Sequence, residues 1–236
     1  MSPEVVGIIQ ARMGSTRLPG KSAMNLGNWP LIVWVVTRCL RSRFVSRWYL
    51  ATTQSPLDDV LIDLVAGMNV TIYRGDETDV ASRFVSILKR DPANLFVRVC
   101  ADNPFIEPEF IDCAVEFSLD HPEIDMAFNH APIWYDNVPD GLGCEVCQSS
   151  SFLGIKFDDL PPIYSEHVTK ALLESPNLRV CAAPMPSKYN WISDIKLDID
   201  TTNDFEMIDG FVSATDISLE SSGLEIIEKL KKFQMN

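Results

Sequence analysis

The chain has 236 residues, 46% of them hydrophobic and 22% charged, which is the composition of a folded globular protein and not of a disordered or fibrous one. Its formal net charge of −13 at pH 7 disfavours binding to nucleic acid, except at a local basic site. The N-terminus does not resemble a secretory signal and no apolar run is long enough to cross a membrane, so we expect a cytoplasmic protein without a membrane partner.

The first half of the chain, up to about residue 118, alternates β-rich runs with helical patterns. The predicted strands are Val5–Gln10, Trp48–Thr52, Val70–Tyr73 and Leu95–Val99. Apolar residues at helical spacing predict helices at Pro30–Arg41, Leu57–Ala66, Val80–Lys89 and Pro108–Ser118. This alternation is typical of right-handed βαβ units and predicts an α/β protein with a largely parallel sheet.

The second half breaks this alternation in a region rich in Pro, Asp, Gly and aromatic residues. We predict that one domain spans residues 1–236, with an inserted lobe at about 130–175 that contains a strand at Gly143–Cys147. After Gly143–Cys147 we predict a helix at Glu166–Glu174, strands at Leu178–Ala183 and Lys196–Ile199, and helices at Thr202–Phe211 and Ser221–Phe233.

The loop after the first predicted strand carries the strongest functional pattern. Ile8–Lys21 reads I-I-Q-A-R-M-G-S-T-R-L-P-G-K. Gly14 allows a tight turn close to a ligand, and Arg12, Arg17 and Lys21 can neutralise a polyphosphate. The spacing fits neither a Walker loop nor a dinucleotide-binding G-x-G-x-x-G. In an acidic chain this cluster indicates a phosphate site, with an ordinary basic surface loop as the alternative.

Carboxylates follow two other predicted strands. Ligands of open α/β sheets bind at the carboxyl ends of the strands, which is where Asp102 lies. Asp198 and Asp200 are two residues apart in an extended segment, so they would share one face. Mg²⁺ prefers a few carboxylates together with phosphate oxygens, so these aspartates predict magnesium beside the polyphosphate. For Asp102 alone, an ordinary turn residue remains the alternative.

Further polar residues follow the predicted strands and are expected near the same ligand. They are Gln10, Thr52 and Arg74, and Gly75 follows Arg74 directly. Glu166 and His167 begin a predicted helix, where the histidine is either a packing residue or a general base.

Seven segments in order carry a family resemblance. They are I-I-Q-A-R-M-G-S-T-R-L-P-G-K from Ile8, A-T-T from Ala51, Y-R-G-D-E-x-D-V from Tyr73, R-V-C-A-D-N-P-F-I-E-P-E-F-I-D from Arg98, P-D-G-L-G-C-E-V from Pro139, E-H-V-T from Glu166 and L-D-I-D-T-T-N-D-F from Leu197. Together they resemble the cytidylyltransferase superfamily that activates acidic sugars, which includes the acylneuraminate and 3-deoxy-manno-octulosonate enzymes. The resemblance is greatest to the spore-coat polysaccharide biosynthesis protein F type.

The resemblance implies a Rossmann-like three-layer nucleotide-diphospho-sugar transferase fold, a mostly parallel mixed sheet and a small inserted dimerisation lobe. It implies that the nucleotide is bound by Gln10, Ala11, Arg12, Gly14, Ser15, Arg17, Lys21, Thr52, Arg74 and Gly75. The sugar would face Asp140, Gly141, Glu145, Glu166 and His167. Magnesium would be held by Asp102, Asp198 and Asp200. The residues implied to carry the reaction are Arg12, Lys21, Asp102 and Asp200.

The implied reaction transfers CMP from CTP to an acidic, 2-keto, nonulosonate-like sugar and releases pyrophosphate, for surface polysaccharide or glycan biosynthesis. The implied assembly is a homodimer in which the lobe of one copy leans over the site of the other. Two alternatives stay open. One is a nucleotide-binding subunit without activity, since a fold does not prove function. The other is a glycosyltransferase that uses a nucleotide sugar, with D-I-D at Asp198 as its metal motif.

Overall fold

A central sheet organises the chain in the computed structural model, which describes residues 3–130, 140–192 and 195–235. The strands are β1 (Val5–Gln10), β2 (Asn25–Leu26), β3 (Trp29–Pro30), β4 (Arg47–Thr53), β5 (Thr71–Gly75), β6 (Leu95–Cys100), β7 (Met126–Phe128), β8 (Glu145–Gln148) and β9 (Val180–Ala182). The helices are α1 (Leu31–Cys39), α2 (Asp59–Leu64), α3 (Val80–Arg90), α4 (Pro108–Asp120), α5 (Ser149–Leu153), α6 (Pro162–Glu166), α7 (Lys170–Leu173), α8 (Thr202–Ala214) and α9 (Gly223–Gln234).

The strand order of the main sheet is β5-β4-β1-β6-β8-β7-β9, and β2 and β3 form a separate hairpin. β1 runs parallel to β4 and β6, with Ile8 opposite both Tyr49 and Arg98. β8 is antiparallel to its neighbours β6 and β7. The sheet is therefore mixed and mostly parallel.

Apolar side chains cover both faces of this sheet. Alternate residues of a strand point to opposite faces, so Val5 and Ile9 of β1 enter one core while Val6 and Ile8 enter the other. The first core includes side chains of α1, α4, α8 and α9, and the second includes side chains of α3, α5 and α7. Helices on both faces of a sheet confirm the predicted three-layer α/β class.

The predicted strands and helices of the first half are confirmed, with ends shifted by a few residues. Two later predictions are wrong. Within the predicted helix Glu166–Glu174, α6 ends at Glu166 and only α7 is helical after it, because His167 leaves the helical region with φ −95° and ψ 81°. Lys196–Ile199 forms only an isolated bridge between Lys196 and Asp140. The backbone of this segment bonds to loops, as Ile199 N does to Asp102 O at 2.8 Å, and not to a neighbouring strand.

The predicted lobe at about 130–175 includes residues 131–139, which lie outside the described residues. β8, which we placed in the lobe, lies in the main sheet between β6 and β7. The lobe as a separate unit therefore stays a prediction. Within the described ranges, none of the helices has the length and apolar character needed to span a membrane.

Candidate active site

A cavity of about 410 Å³ opens where β1 and β6 end. This is the edge of the sheet at which open α/β folds bind ligands. Many residues that the sequence predicts for the site lie on its wall. They are Gln10, Ala11, Arg12, Ser15, Arg17, Lys21, Asp102, Asp140, Glu166, His167, Asp198 and Asp200. The fold therefore brings distant parts of the chain into one cavity.

The cationic loop is folded by its own backbone. Met13 O accepts hydrogen bonds from Ser15 N and from Gly20 N, each at 2.9 Å. Gly20 adopts a left-handed conformation with φ 77°, which glycine reaches without the steric cost of a side chain. A Cβ at Gly14 would lie 2.6 Å from Oε1 of Glu77, so a larger residue there would make the exposed Glu77 side chain move. The loop is thereby closed before Lys21.

Lys21 joins the loop to two distant segments. Its Nζ lies 3.1 Å from Oδ2 of Asp102, 3.3 Å from Oδ1 of Asp200 and 2.7 Å from Ile199 O. The Lys21 side chain is only 11% exposed. Arg17 Nη2 also reaches Oδ1 of Asp200, at 2.8 Å. The cations of the loop therefore face the carboxylates that the sequence predicts for the metal.

Arg12 completes the cationic side of the cavity. Its Nη1 donates to Glu77 O at 3.1 Å, and its Nη2 lies 3.9 Å from a carboxylate oxygen of Glu166. Both partners are exposed, so a long flexible side chain can leave them at little cost. Arg12 is thus free to turn towards an anion in the cavity.

Acidic groups are concentrated opposite the loop. Burial raises the pKa of Asp198 to about 6, and the nearby Asp140 carboxylate is the next largest cause. Burial likewise raises the pKa of Asp140. Oδ1 of Asp198 is buried and has no hydrogen-bond partner, while its Oδ2 lies 3.7 Å from Lys196 Nζ. A buried carboxylate oxygen without a partner is costly, so this cluster suits an added cation.

These carboxylates match magnesium in their chemistry, since oxygen donors are what this ion prefers. Among the described residues, however, no three His, Cys, Asp or Glu side chains are positioned around one point that could hold an ion. Lys21 Nζ lies between Asp102 and Asp200 and supplies positive charge there. The carboxylates therefore have the chemistry to bind a divalent cation. In this structure, the distance between the Asp102 and Asp200 carboxylates is set by their shared ion pairs with Lys21.

Several predicted nucleotide residues are not part of the cavity wall. Thr52 is fully buried, and its hydroxyl donates to Asp58 at 2.9 Å. Arg74 donates to the carbonyl oxygens of Thr53 and Ser55, each at 2.7 Å. Gly14 and Gly75 also lie outside the wall. The structure places these residues behind the cavity or beside it.

Two predicted sugar residues also lie behind the wall. Gly141 has φ 89°, and a Cβ there would lie 2.7 Å from Asp198 N, so its role in the structure is close backbone packing. Glu145 is buried and accepts a 2.8 Å hydrogen bond from Arg98. Burial alone would raise the pKa of Glu145, but the Arg98 charge and His130 lower it to about 2. The negative charge of the Glu145 carboxylate is therefore already balanced by Arg98.

Arg98 and His130 lie on the cavity wall, although neither is among the residues that we predicted for the site. Arg98 precedes Cys100 by two residues along β6, so the two side chains share a face, and Cys100 also lines the cavity. The two-residue spacing between Arg98 and the end of β6 at Cys100 was therefore the sequence signal that could have identified Arg98 as a site residue. His130 follows β7, whose place in the sheet only the structure defines.

Asp58 is a buried residue that sequence reasoning missed. Its carboxylate accepts hydrogen bonds from Met13 N at 2.8 Å, Thr53 N at 3.0 Å and the hydroxyls of Thr52 and Thr53 at 2.9 and 2.5 Å. It therefore ties the cationic loop to the end of β4. In the sequence, the pattern S-P-L-D-D predicts the start of a helix. It does not indicate that the Asp58 side chain is buried.

A mostly parallel α/β sheet with a cationic loop after its first strand and carboxylates at the facing strand ends defines the class of α/β nucleotidyltransferases. Comparison with known proteins gives the family. A family model described as Cytidylyltransferase matches residues 6–236. The chain therefore belongs to the cytidylyltransferase family, which confirms the resemblance seen in the sequence.

Individual relatives agree with this assignment. The chain is 30% identical over 235 residues to the spore coat polysaccharide biosynthesis protein SpsF of Bacillus subtilis (strain 168), which covers 97% of this chain and 95% of that protein. It is 28% identical over 162 residues to a 3-deoxy-manno-octulosonate cytidylyltransferase of Bdellovibrio bacteriovorus, covering 69% and 65%. A solved cytidylyltransferase structure from Leptospira borgpetersenii has a TM-score of 0.86 at 26% identity, covering 99% and 96%.

Proposed function

We propose that this chain transfers CMP from CTP to an acidic 2-keto sugar, with release of pyrophosphate. The observation that carries the proposal is the cavity in which Arg17 and Lys21 face Asp102 and Asp200. A triphosphate needs the cations, and a metal that bridges phosphate oxygens needs the carboxylates. Membership of the cytidylyltransferase family supports CTP as the nucleotide.

The triphosphate would bind by an exchange of ionic partners. Arg12, Arg17 and Lys21 now lie beside carboxylates of Glu166, Asp102 and Asp200. When the cations turn to the phosphates, the aspartates lose their partners. Mg²⁺ would then be held by Asp102 and Asp200 with Asp198, and it would supply positive charge against the charge that develops on the phosphate oxygens.

The protein side chains act mainly by positioning and by electrostatics. The anomeric hydroxyl of the sugar gives up its proton to solvent as its oxygen attacks the α-phosphorus, and the bond to pyrophosphate breaks on the opposite side. Arg12 and Lys21 hold the departing phosphates, which keeps the reacting atoms in line and offsets the charge of the leaving group. Because these charges are fixed in a partly buried cavity, they act more strongly than in water.

The sugar would occupy the part of the cavity lined by Asp140, Glu166 and His167. An acidic sugar brings a carboxylate, and Arg98, which also lines the cavity, is a cation that could face it. The name of the Bdellovibrio relative, a 3-deoxy-manno-octulosonate cytidylyltransferase, supports an acceptor of this class. The name of the Bacillus relative supports a role in polysaccharide biosynthesis.

We also propose a homodimer that uses the surface around α5 and α6. Three large apolar side chains in that region are partly exposed, namely Leu153, Leu160 and Ile163. Large apolar side chains that stay exposed in one region of a chain can mark an interface. Light scattering after gel filtration should give twice the mass of one chain, and a monomer at micromolar concentration would contradict the dimer.

Pyrophosphate release tests the reaction. CTP, UTP, ATP and GTP are offered in turn with Mg²⁺ and a panel of acidic and neutral sugars. We expect release with CTP and at least one acidic sugar, and no release when the sugar is left out. The variant Lys21→Met is the negative control, and Asp63→Asn, an exposed change on α2, is the positive control. Release that requires another nucleotide would overturn the proposal.

A further inference from the structure

Arg98 is a cation that neighbouring strands hold in the wall of the cavity. It lies on β6, where its backbone is opposite Ile8 of β1 and Glu145 of β8. Its Nη1 donates to Oε2 of Glu145 at 2.8 Å, and its Nε donates to Oε1 of Gln10 at 3.4 Å. A guanidinium has five N–H groups, so these two bonds do not use all of its donors. The Arg98 side chain lines the cavity and is 14% exposed, so it is fixed in place and still reaches a bound ligand.

A second arginine shows what a purely structural ion pair looks like in this fold. Arg38 pairs with Oε2 of Glu107 at 2.6 Å, and its side chain is 0% exposed. Both arginines have a buried carboxylate as their partner, since the side chains of Glu145 and Glu107 are only 6% and 5% exposed. Arg98 differs because part of its side chain lies in the cavity wall. Stabilising the sheet does not require that exposure, which indicates a role in binding.

The other strong cations of the wall already have a ligand in the proposed function. Among the described wall residues, the arginines and lysines are Arg12, Arg17, Lys21 and Arg98. The first three belong to the cationic loop and would turn to the triphosphate. Arg98 is therefore the arginine or lysine of this wall that is left for an anionic group on the acceptor.

The position of Arg98 suits a carboxylate beside the reacting carbon. In a 2-keto sugar acid, the carboxylate is bonded directly to the anomeric carbon, whose hydroxyl attacks the α-phosphorus. The cation that binds this carboxylate must therefore lie near the metal carboxylates. Asp102 follows the end of β6, the strand that carries Arg98, and both line the cavity. Burial acts to lower the pKa of Arg98, but neighbouring acidic side chains, Asp102 among them, raise it.

The carboxylates of the wall would repel an acidic sugar that had no cation to meet it. They are Asp102, Asp140, Glu166, Asp198 and Asp200. A metal ion held by the aspartates that follow the strands would still leave Asp140 and Glu166 facing the acceptor. In a partly buried cavity such repulsion is stronger than in water. An acidic sugar therefore needs directed donors at this wall, and Arg98 can supply them.

We propose that Arg98 selects acidic acceptors, by donating N–H groups to the carboxylate on the anomeric carbon of the sugar. This inference rests on the proposed function, because it requires a 2-keto sugar acid in the cavity. The planar fork of an arginine matches the geometry of a carboxylate. The bonds to Glu145 and Gln10 hold that fork before the sugar arrives, so less side-chain entropy is lost on binding. A neutral sugar gains no charge-assisted contact there.

Pyrophosphate release with paired acceptors tests the inference. The probes are the acidic sugar that supports release and the C1 carboxamide of the same sugar, each offered with CTP and Mg²⁺. In the wild type, we expect kcat/KM to favour the acid by about tenfold or more, the scale of a charge-assisted hydrogen bond. In the double variant Arg98→Met/Glu145→Gln this preference should disappear through a higher KM for the acid, with the KM for CTP little changed. Both residues are replaced because removing Arg98 alone would leave a buried charge without its partner.

Two single variants serve as controls. Glu145→Gln keeps Arg98, so it should keep the preference for the acid. Arg90→Met replaces an exposed arginine at the end of α3 and should match the wild type with both acceptors. A preference that disappears in Glu145→Gln would show that the ion pair shapes the cavity as a whole, and it would overturn the assignment to Arg98.

The outcomes separate this inference from the proposed function. If the double variant keeps the preference, or loses activity with acid and carboxamide in equal proportion, Arg98 does not bind the carboxylate and the inference fails while the function stands. If the wild type uses the carboxamide as well as the acid, the inference fails and CMP transfer stands. If no acidic sugar supports release, the proposed function fails and the inference fails with it.

A second measurement covers the case in which the double variant does not fold. Wild-type protein is labelled with ¹⁵N at arginine and saturated with CMP, which cannot react, and the Nε–H signal of Arg98 is assigned with the variant Arg98→Lys. We expect this signal to shift with the acidic sugar and to stay in place with its carboxamide. A signal that responds to both alike, or to neither, would overturn the inference.

Discussion

Replacing Asp58 by asparagine should weaken both the fold and the nucleotide site. The carboxylate accepts four hydrogen bonds, three at Oδ2 and one, from Met13 N, at Oδ1. An asparagine side chain has one oxygen and one NH₂ group, so at least one buried N–H or O–H must face another donor. If the oxygen keeps the three donors at the end of β4, the link to the cationic loop is lost.

The expected magnitude follows from those bonds. A hydrogen bond to a charged group contributes about 1.5–3 kcal/mol, and a buried donor left unpaired costs about 1–3 kcal/mol. Because such contributions are not additive, we expect Asp58→Asn to lower the free energy of unfolding by about 2–4 kcal/mol. For a chain of this size, each kcal/mol lowers Tm by about 2–4 °C.

Urea unfolding and CTP kinetics measure the two effects. The KM for CTP should rise more than kcat falls, because the loop that holds the phosphates is no longer fixed at Met13. Asp63→Asn, an exposed change on α2, the helix that begins directly after Asp58, is the matched control and should stay within about 0.5 kcal/mol of the wild type. An Asp58→Asn protein as stable as this control, with an unchanged KM, would refute the reasoning.

Three further changes test other contacts. Lys21→Met should weaken CTP binding by about 1–3 kcal/mol in calorimetry, the scale of a charge-assisted contact, and an unchanged affinity would remove Lys21 from the site. Asp200→Asn should lower kcat by more than about tenfold with the circular dichroism spectrum unchanged, because the metal loses a charged ligand; near-normal turnover in excess Mg²⁺ would contradict this. Glu145 has its pKa lowered from 4.5 to about 2 mainly by Arg98, against the effect of burial. It therefore stabilises the fold above its ordinary pKa and loses this effect as the pH falls towards 2. The stability difference between wild type and Glu145→Gln should shrink between pH 6 and pH 3 in urea unfolding, and a constant difference would contradict the assignment.

The first half of the fold could be predicted because its signals are local. β1 is a continuous apolar run, as expected of a central parallel strand, and α3 repeats apolar residues at helical spacing between polar ones. The prediction of a strand at Lys196–Ile199 was wrong, because alternating polar and apolar residues indicate only which way the side chains point. They do not indicate which groups the backbone hydrogen-bonds to. In the structure, Asp140 and Asp102 take those backbone bonds.

The site could be predicted where strand ends identify it. Asp102 follows β6 and Lys21 lies in the loop that follows β1, so the general rule for α/β sheets places them at the same edge. Asp200 lines the same cavity, although the strand predicted before it is not formed. The partners of Asp58 could not be predicted, because they depend on burial created by segments far away in the sequence. Met13, for example, lies 45 residues before Asp58.

The most direct test of the central claim follows the CMP group itself. The wild-type chain is incubated with CTP labelled at the α-phosphate, Mg²⁺ and the acidic sugar that supports pyrophosphate release, and the products are separated and weighed by mass spectrometry. We expect the label in a CMP-sugar, formed in equal amount to pyrophosphate. Label found only in free CMP, or retained in CTP with every acidic sugar offered, would contradict the account.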